Sequence, residues 1–194
     1  MIDYSPFGEE YQPKWTYIFL IVSTIVYIFQ QITPLWVFLA YTPAYTLRYP
    51  WTLLTAIFLH LDLAHFLFNM VALLIFGTIL EKRIGNQNFF GLFLVSGIIG
   101  NIGYFVTSVN PMIPALGASG AIYGIIGALA ILEPYRRVYL YGFMPLPMVG
   151  AAILWALGDL KGLFVPSRIA HGAHLGGMVI GIIAGILLKK QEKL

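Results

Sequence analysis

Apolar residues fall along this chain in six long blocks, separated by short polar or irregular stretches. The blocks are about Trp15–Ile32, Leu63–Leu80, Phe89–Val109, Ser119–Leu132, Val138–Leu157 and Ala173–Leu188. Each reads as an apolar helix, and a membrane crossing of about 30 Å takes about 20 such residues. Several blocks are shorter than that, so those helices are expected to start below the membrane surface. The connection from Thr33 to Asp62 is long and aromatic, with Trp36, Phe38, Tyr41, Tyr45, Tyr49 and Trp51. Such rings favour the membrane–water interface, so it reads as a partly embedded loop, with plain interfacial anchoring the reading for most of the rings. The connection Ser108–Ala118 has two prolines and no charge. Irregular backbone of that kind must be covered by protein or face a water-filled cavity.

Composition supports a membrane reading. The chain has 194 residues, 59% hydrophobic and only 10% charged, where a soluble domain carries about 25% charged residues. The expected class is all-α: one polytopic membrane domain over 1–194, with six transmembrane helices and short tails at 1–14 and 189–194. The sequence has no cysteine, which excludes disulfides and thiolate chemistry. No basic run with interleaved aromatics points to nucleic acid. The first fifteen residues have neither a basic nor an apolar leader region, so the first helix is expected to act as its own insertion signal. With the N-terminus inside, inner positions hold Lys14, Lys82, Arg83, Arg136, Arg137, Lys189, Lys190 and Lys193. Outer positions hold only Arg48, Lys161 and Arg168. This bias predicts a cell-membrane protein with both termini in the cytoplasm.

Polar groups inside such blocks carry the chemistry, because they are costly there. Ser119 heads the fourth block, between Gly117 and Gly120. Small residues follow at Gly120, Gly124 and Ala128, a spacing that lets a second helix come close. The sixth block offers a matching face, with His174 followed by Gly177, Gly181 and Gly185. Blocks two, four and six run in the same direction. Counted from their inner ends, Asn69, Ser119 and His174 sit at about the same height, roughly 18–21 Å up. Glycine-lined helices four and six would then bring the Ser119 hydroxyl to the His174 imidazole, as a nucleophile and its base require. Alternatively, Ser119 is only a helix N-cap and the glycines only pack.

The second block places His65 and Asn69 four residues apart on one face. Both can donate hydrogen bonds to an oxyanion, as can the Ser119 backbone N–H; interhelical packing is the other reading. Tyr123, one turn below Ser119, is expected to pack on the imidazole. No carboxylate is expected at this level, since Glu133 lies at the inner end and Asp62 and Asp159 in outer connections. The chemistry would be a Ser-His dyad without a third member. His171 and His174 are a candidate ligand pair, but the H-E-x-x-H pattern is absent and no acid joins them, so no metal and no cofactor is expected.

These residues resemble the rhomboid intramembrane serine proteases. Gly117-Ala118-Ser119-Gly120 is similar to the family's G-x-S-G. The run from His174 through Gly177 to Gly181 is similar to its H-x-x-G-x-x-x-G. His60, His65 and Asn69 are similar to its histidine–asparagine signature, followed by Glu81-Lys82-Arg83. The resemblance covers about Trp51 to Gly181. It implies Ser119 as nucleophile, His174 as base, His65 and Asn69 beside the oxyanion, and His60 structural in the first loop. One departure is Trp51-Thr52, where the family often has Trp-Arg; Arg48 stands one turn earlier.

The resemblance also implies hydrolysis within or next to a substrate's transmembrane segment. A substrate helix must unwind to offer its backbone, so the expected partners are membrane proteins with helix-weak transmembrane segments, and the lipid bilayer. Residues 158–170 read as a mobile apolar cap over the site or, equally, as an ordinary interfacial loop. The alternative function is a non-catalytic chaperone or binder of unstable transmembrane helices. A small-solute transporter is a weaker reading, because broken helices in two matching halves are missing.

Overall fold

The computed structural model describes residues 12–191, Tyr141 and Pro166 excepted; the outermost tail residues lie outside the described ones. Among the described residues, six long helices carry the fold. They are α1 Lys14–Ile32, α2 Leu63–Ile84, α3 Asn86–Thr107, α4 Ser119–Leu132, α5 Met148–Gly162 and α6 His171–Gln191. Among the described residues, α1, α2, α3 and α6 are long and apolar enough to cross a membrane. Helix α4 has 14 residues and α5 has 15, so these two are shorter than a full crossing. At 1.5 Å per residue α4 rises only about 21 Å.

Helix α4 forms the middle of the bundle. Of its residues only Ser119, Tyr123 and Ile131 are not buried. Its small residues make this possible. A Cβ at Gly177 of α6 would collide with the Gly120 carbonyl oxygen, and one at Gly181 with the Gly124 carbonyl oxygen. Here the two backbones touch, as the spacing of small residues predicts. Gly124 itself turns more toward α3, where a Cβ would run into Ser96.

Helix ends are fixed by chemistry from other elements. Pro13 gives α1 no side-chain cap. Instead Glu81 of α2 accepts from Trp15 N, Thr16 N and Thr16 Oγ1, each at 2.7 Å. Two orphan N–H groups at the head of α1, and the Thr16 hydroxyl, are thereby satisfied by one buried carboxylate. Asp62 caps α2 by accepting from His65 N at 2.8 Å. Helix α2 contains one π turn over Leu73–Gly77 and ends at Gly85, whose φ of +83° suits glycine.

The loop after α1 is folded, in short helical turns at Pro34–Phe38, Pro43–Tyr45, Thr52–Thr55 and Ala56–Phe58. A two-residue bridge ties it to the segment before Ser119, with Tyr41 N on Ala115 O at 3.1 Å and the reverse bond at 2.8 Å. Gly117 N adds a bond to Ala56 O at 2.9 Å. At the departure position Thr52 is buried and donates to Tyr49 O at 2.7 Å. The Arg48 guanidinium lies over the Tyr49 ring.

The fifth apolar block departs from expectation. A helix over Val138–Leu157 is replaced by a hairpin, β1 Arg137–Leu140 against β2 Met144–Pro147, with Val138 opposite Leu146. The helix starts only at Met148. Pro145 and Pro147 lack an N–H and push the residues before them to extended backbone, which holds the chain out of helix until the second proline is passed. Helix α5 consequently runs on to Gly162, through the first part of the expected cap.

Candidate active site

Ser119 is the first residue of α4, reached through Gly117, whose φ is +130°. A Cβ at Gly117 would lie 2.7 Å from His65 Cε1. Glycine thus supplies both the left-handed turn and the room for the neighbouring imidazole. Helix α6 brings His174 against this point. His174 Nε2 is 2.9 Å from Ser119 Oγ, and the Tyr123 ring stacks on the imidazole at 4.2 Å between centroids and 13° between planes.

The carboxylate placed by sequence in an outer connection is here too. Asp159 lies inside α5, three residues before its end, and is 5% exposed. Its Oδ1 is 2.8 Å from His174 Nδ1 and 2.6 Å from His171 Nδ1. A carboxylate can only accept, so both histidines donate from Nδ1, and in its neutral form each keeps Nε2 as the acceptor. The His174 Nε2 lone pair then faces the Ser119 hydroxyl. The expectation of no acid at this depth is corrected. It failed with the helix boundary: a block ending at Leu157 leaves Asp159 outside. The two prolines before Met148, together with a lone acid in an apolar run, were the signals that place it.

The other residues gather nearby. His65 Nδ1 accepts from Leu61 N at 3.3 Å, which leaves the proton on Nε2 as a donor. Asn69 is buried and gives one amide hydrogen to His65 O at 2.8 Å. His60 is fully buried in the loop before α2. Its ring meets those of His65 and Phe66 edge-on at 5.3 and 5.4 Å, and its backbone is held on both sides by the Gln30 amide.

Asp159, His171 and His174 offer three ligand atoms within 4.8 Å of one another, so an acid does accompany the histidine pair. Zinc bonds of about 2.0–2.2 Å in a tetrahedron keep ligand atoms about 3.3 Å apart. The observed 2.6 and 2.8 Å separations are those of direct hydrogen bonds. The three groups satisfy one another as a network, and an ion would have to push them apart.

A multi-pass helical membrane protein, with a serine and a histidine in contact at the head of its central helix, is the class that these features define. The chain belongs to the rhomboid family: the model of the rhomboid domain matches residues 47–191. Rhomboid protease GluP of Bacillus subtilis is 37% identical over 139 residues, 71% of this chain and 26% of that protein. Putative rhomboid protease YdcA of the same organism is 33% identical over 147 residues, 74% of this chain and 70% of that one. Rhomboid protease GlpG of Haemophilus influenzae is 29% identical over 191 residues, 94% of each chain. The chain thus spans about a quarter of the length of GluP but nearly all of GlpG.

Proposed function

We propose that this chain is an intramembrane serine endopeptidase, with Ser119 as nucleophile and His174 as general base. The observation that carries this reading is the 2.9 Å contact between Ser119 Oγ and His174 Nε2, in a family whose relatives are named proteases. Ser119 Oγ attacks a substrate carbonyl carbon while its proton passes to His174 Nε2. The oxyanion is met by His65 Nε2–H, by the second amide hydrogen of Asn69 and by N–H groups at the head of α4, which have no intrahelical acceptor. When the C–N bond breaks, His174 returns the proton to the departing amine, leaving an acyl ester on Ser119. Water then attacks the ester with His174 again as base, and the acid leaves.

The proposed orientation has six crossings and both termini in the cytoplasm. A membrane-impermeant amine reagent added outside cells is expected to reach Lys161 and not Lys190. The substrates proposed are membrane proteins whose transmembrane segments unwind readily. The deciding experiment reconstitutes the purified chain in liposomes with a model transmembrane substrate containing helix-weak residues. Cleavage is expected with the natural chain and not with Ser119→Ala. Binding of that substrate without cleavage would favour a chaperone instead.

A further inference from the structure

We propose that Asp159 is a positioning residue for catalysis: from α5 it holds the His174 imidazole in the tautomer and orientation that Ser119 needs. The inference rests on the protease reading above and adds a third member to the serine–histidine pair.

The geometry runs in one line. Ser119 Oγ lies 2.9 Å from His174 Nε2, and His174 Nδ1 lies 2.8 Å from Asp159 Oδ1. A neutral imidazole carries one proton, and only the Nδ1–H form leaves Nε2 free to take a proton from serine. Asp159 selects that form because an ionised carboxylate cannot donate to Nδ1. During acylation the serine proton moves to Nε2 and the Nδ1 proton stays where it is. The resulting imidazolium faces the carboxylate, so charge appears beside an opposite charge already in place. The carboxylate takes no proton, and the proton count closes between Ser119, His174 and the leaving amine.

Burial argues that this carboxylate has a purpose. A 5%-exposed acid on an apolar helix is costly unless its lone pairs are met. Among the described residues, the groups that hydrogen-bond Asp159 are His171 and His174. One of these, His174, stands at the serine. Tyr123 stacks on His174, so the imidazole is held on its face by that ring and at Nδ1 by the carboxylate. His171 takes the other approach to Oδ1 and passes the contact on to Ser167 Oγ at 2.9 Å.

The test compares Asp159→Asn and Asp159→Ala with the natural chain in liposomes, measuring kcat and KM on a model transmembrane substrate. Both variants are expected to lose kcat on the order of a hundred- to ten-thousandfold, the range of general-base contributions, with KM changed less than about twofold. Asparagine is the informative variant. It matches aspartate in size but can donate to Nδ1 and hold the wrong tautomer, so a mere packing or tethering role predicts that it rescues kcat. An Asp159→Asn enzyme with kcat near that of the natural chain overturns the proposal. If both variants fail to fold, 15N NMR of histidine-labelled natural chain decides. A neutral His174 protonated at Nδ1 is expected, and one protonated at Nε2 overturns the proposal. If the natural chain neither cleaves the substrate nor takes an acylating probe at Ser119, the protease reading fails, and the NMR result still decides whether Asp159 sets the tautomer.

Discussion

Ser167 Oγ lies 2.9 Å from His171 Nε2, the same separation as Ser119 Oγ from His174 Nε2, and both histidines share the Asp159 carboxylate. Hydrogen-bonding distance therefore does not by itself select the nucleophile. In the proposed reaction the helix does. Ser119 begins a 14-residue helix whose first N–H groups have no intrahelical acceptor and would meet a developing oxyanion. Ser167 sits in the connection between α5 and α6, and its Oγ also accepts from Ile169 N at 3.3 Å. A fluorophosphonate is thus expected to label Ser119 alone, and labelling should fall sharply in His174→Ala. Intact-mass analysis with peptide mapping checks this. An adduct on Ser167 would move the nucleophile to the α5–α6 connection.

The contact between α4 and α6 should tolerate no side chain. The Gly181 Cα faces the Gly124 carbonyl oxygen, and a Cβ there collides with backbone that cannot swing away. Gly181→Ala is expected to cost at least about 1–3 kcal/mol, the usual range for overpacking, and Gly181→Leu more. Both should lower activity, because the same contact holds His174 at Ser119. Gly124→Leu should destabilise by another route, since its Cβ meets Ser96 of α3 before it meets α6. Thermal unfolding in detergent, with substrate cleavage in liposomes, measures both effects. Wild-type Tm and rate in Gly181→Leu would show that the helices have room to spare.

How much of this was legible in the chain follows from what each signal measures. The bounds of α4 stood out because Ser119 and Glu133 are polar ends on an unbroken apolar run. Tyr123 and the glycines of α6 follow from helical spacing, a local property. Asp159 was lost because hydropathy does not distinguish a strand from the start of a helix. Val138 and Leu140 are apolar in either form, and only the prolines at 145 and 147 mark the change. The cap on α1 was illegible for another reason. Its acceptor, Glu81, lies 65 residues from Thr16, and no local pattern links a helix head to the foot of another helix. Ser96 against Gly124 is likewise a contact of tertiary structure alone.

His60 makes stability depend on pH. Burial pushes its imidazole down from 6.5 to about 3, and the neighbouring His65 adds to the effect. The folded chain therefore keeps His60 neutral where the unfolded chain would protonate it. The unfolded state binds more protons between those two values, so stability is full above about pH 6.5 and falls as pH drops toward 3. Each pH unit in that window removes up to about 1.4 kcal/mol. A His60→Phe variant keeps a buried ring without the titration. Its unfolding midpoint should fall less steeply than that of the natural chain between about pH 6.5 and 4. Parallel profiles would show that His60 takes up no less proton in the fold than outside it.

The oxyanion donors are open to separation by kinetics. His65 has its Nδ1 occupied by Leu61 N and is left with a donating Nε2; Asn69 has one amide hydrogen held by His65 O and one left over. In the proposed mechanism each acts on charge that exists only as the carbonyl is attacked, so its loss should appear in kcat and little in KM. Removing one such donor costs about 2.7–4 kcal/mol in a well-studied soluble protease, and less where donors overlap, as they do here with the N–H groups of α4. His65→Ala and Asn69→Ala are each expected to lower kcat, and the double variant to lower it further than either. The two single variants differ in one respect. Asn69 also braces the turn of α2 that carries His65, so Asn69→Ala weakens both donors while His65→Ala leaves Asn69 in place. If Asn69 acts only as that brace, its loss will add nothing in a His65→Ala background. A further drop in that background assigns Asn69 a direct bond to the oxyanion. Single-turnover cleavage of a transmembrane substrate in liposomes, with Tm measured alongside to exclude unfolding, distinguishes the two outcomes.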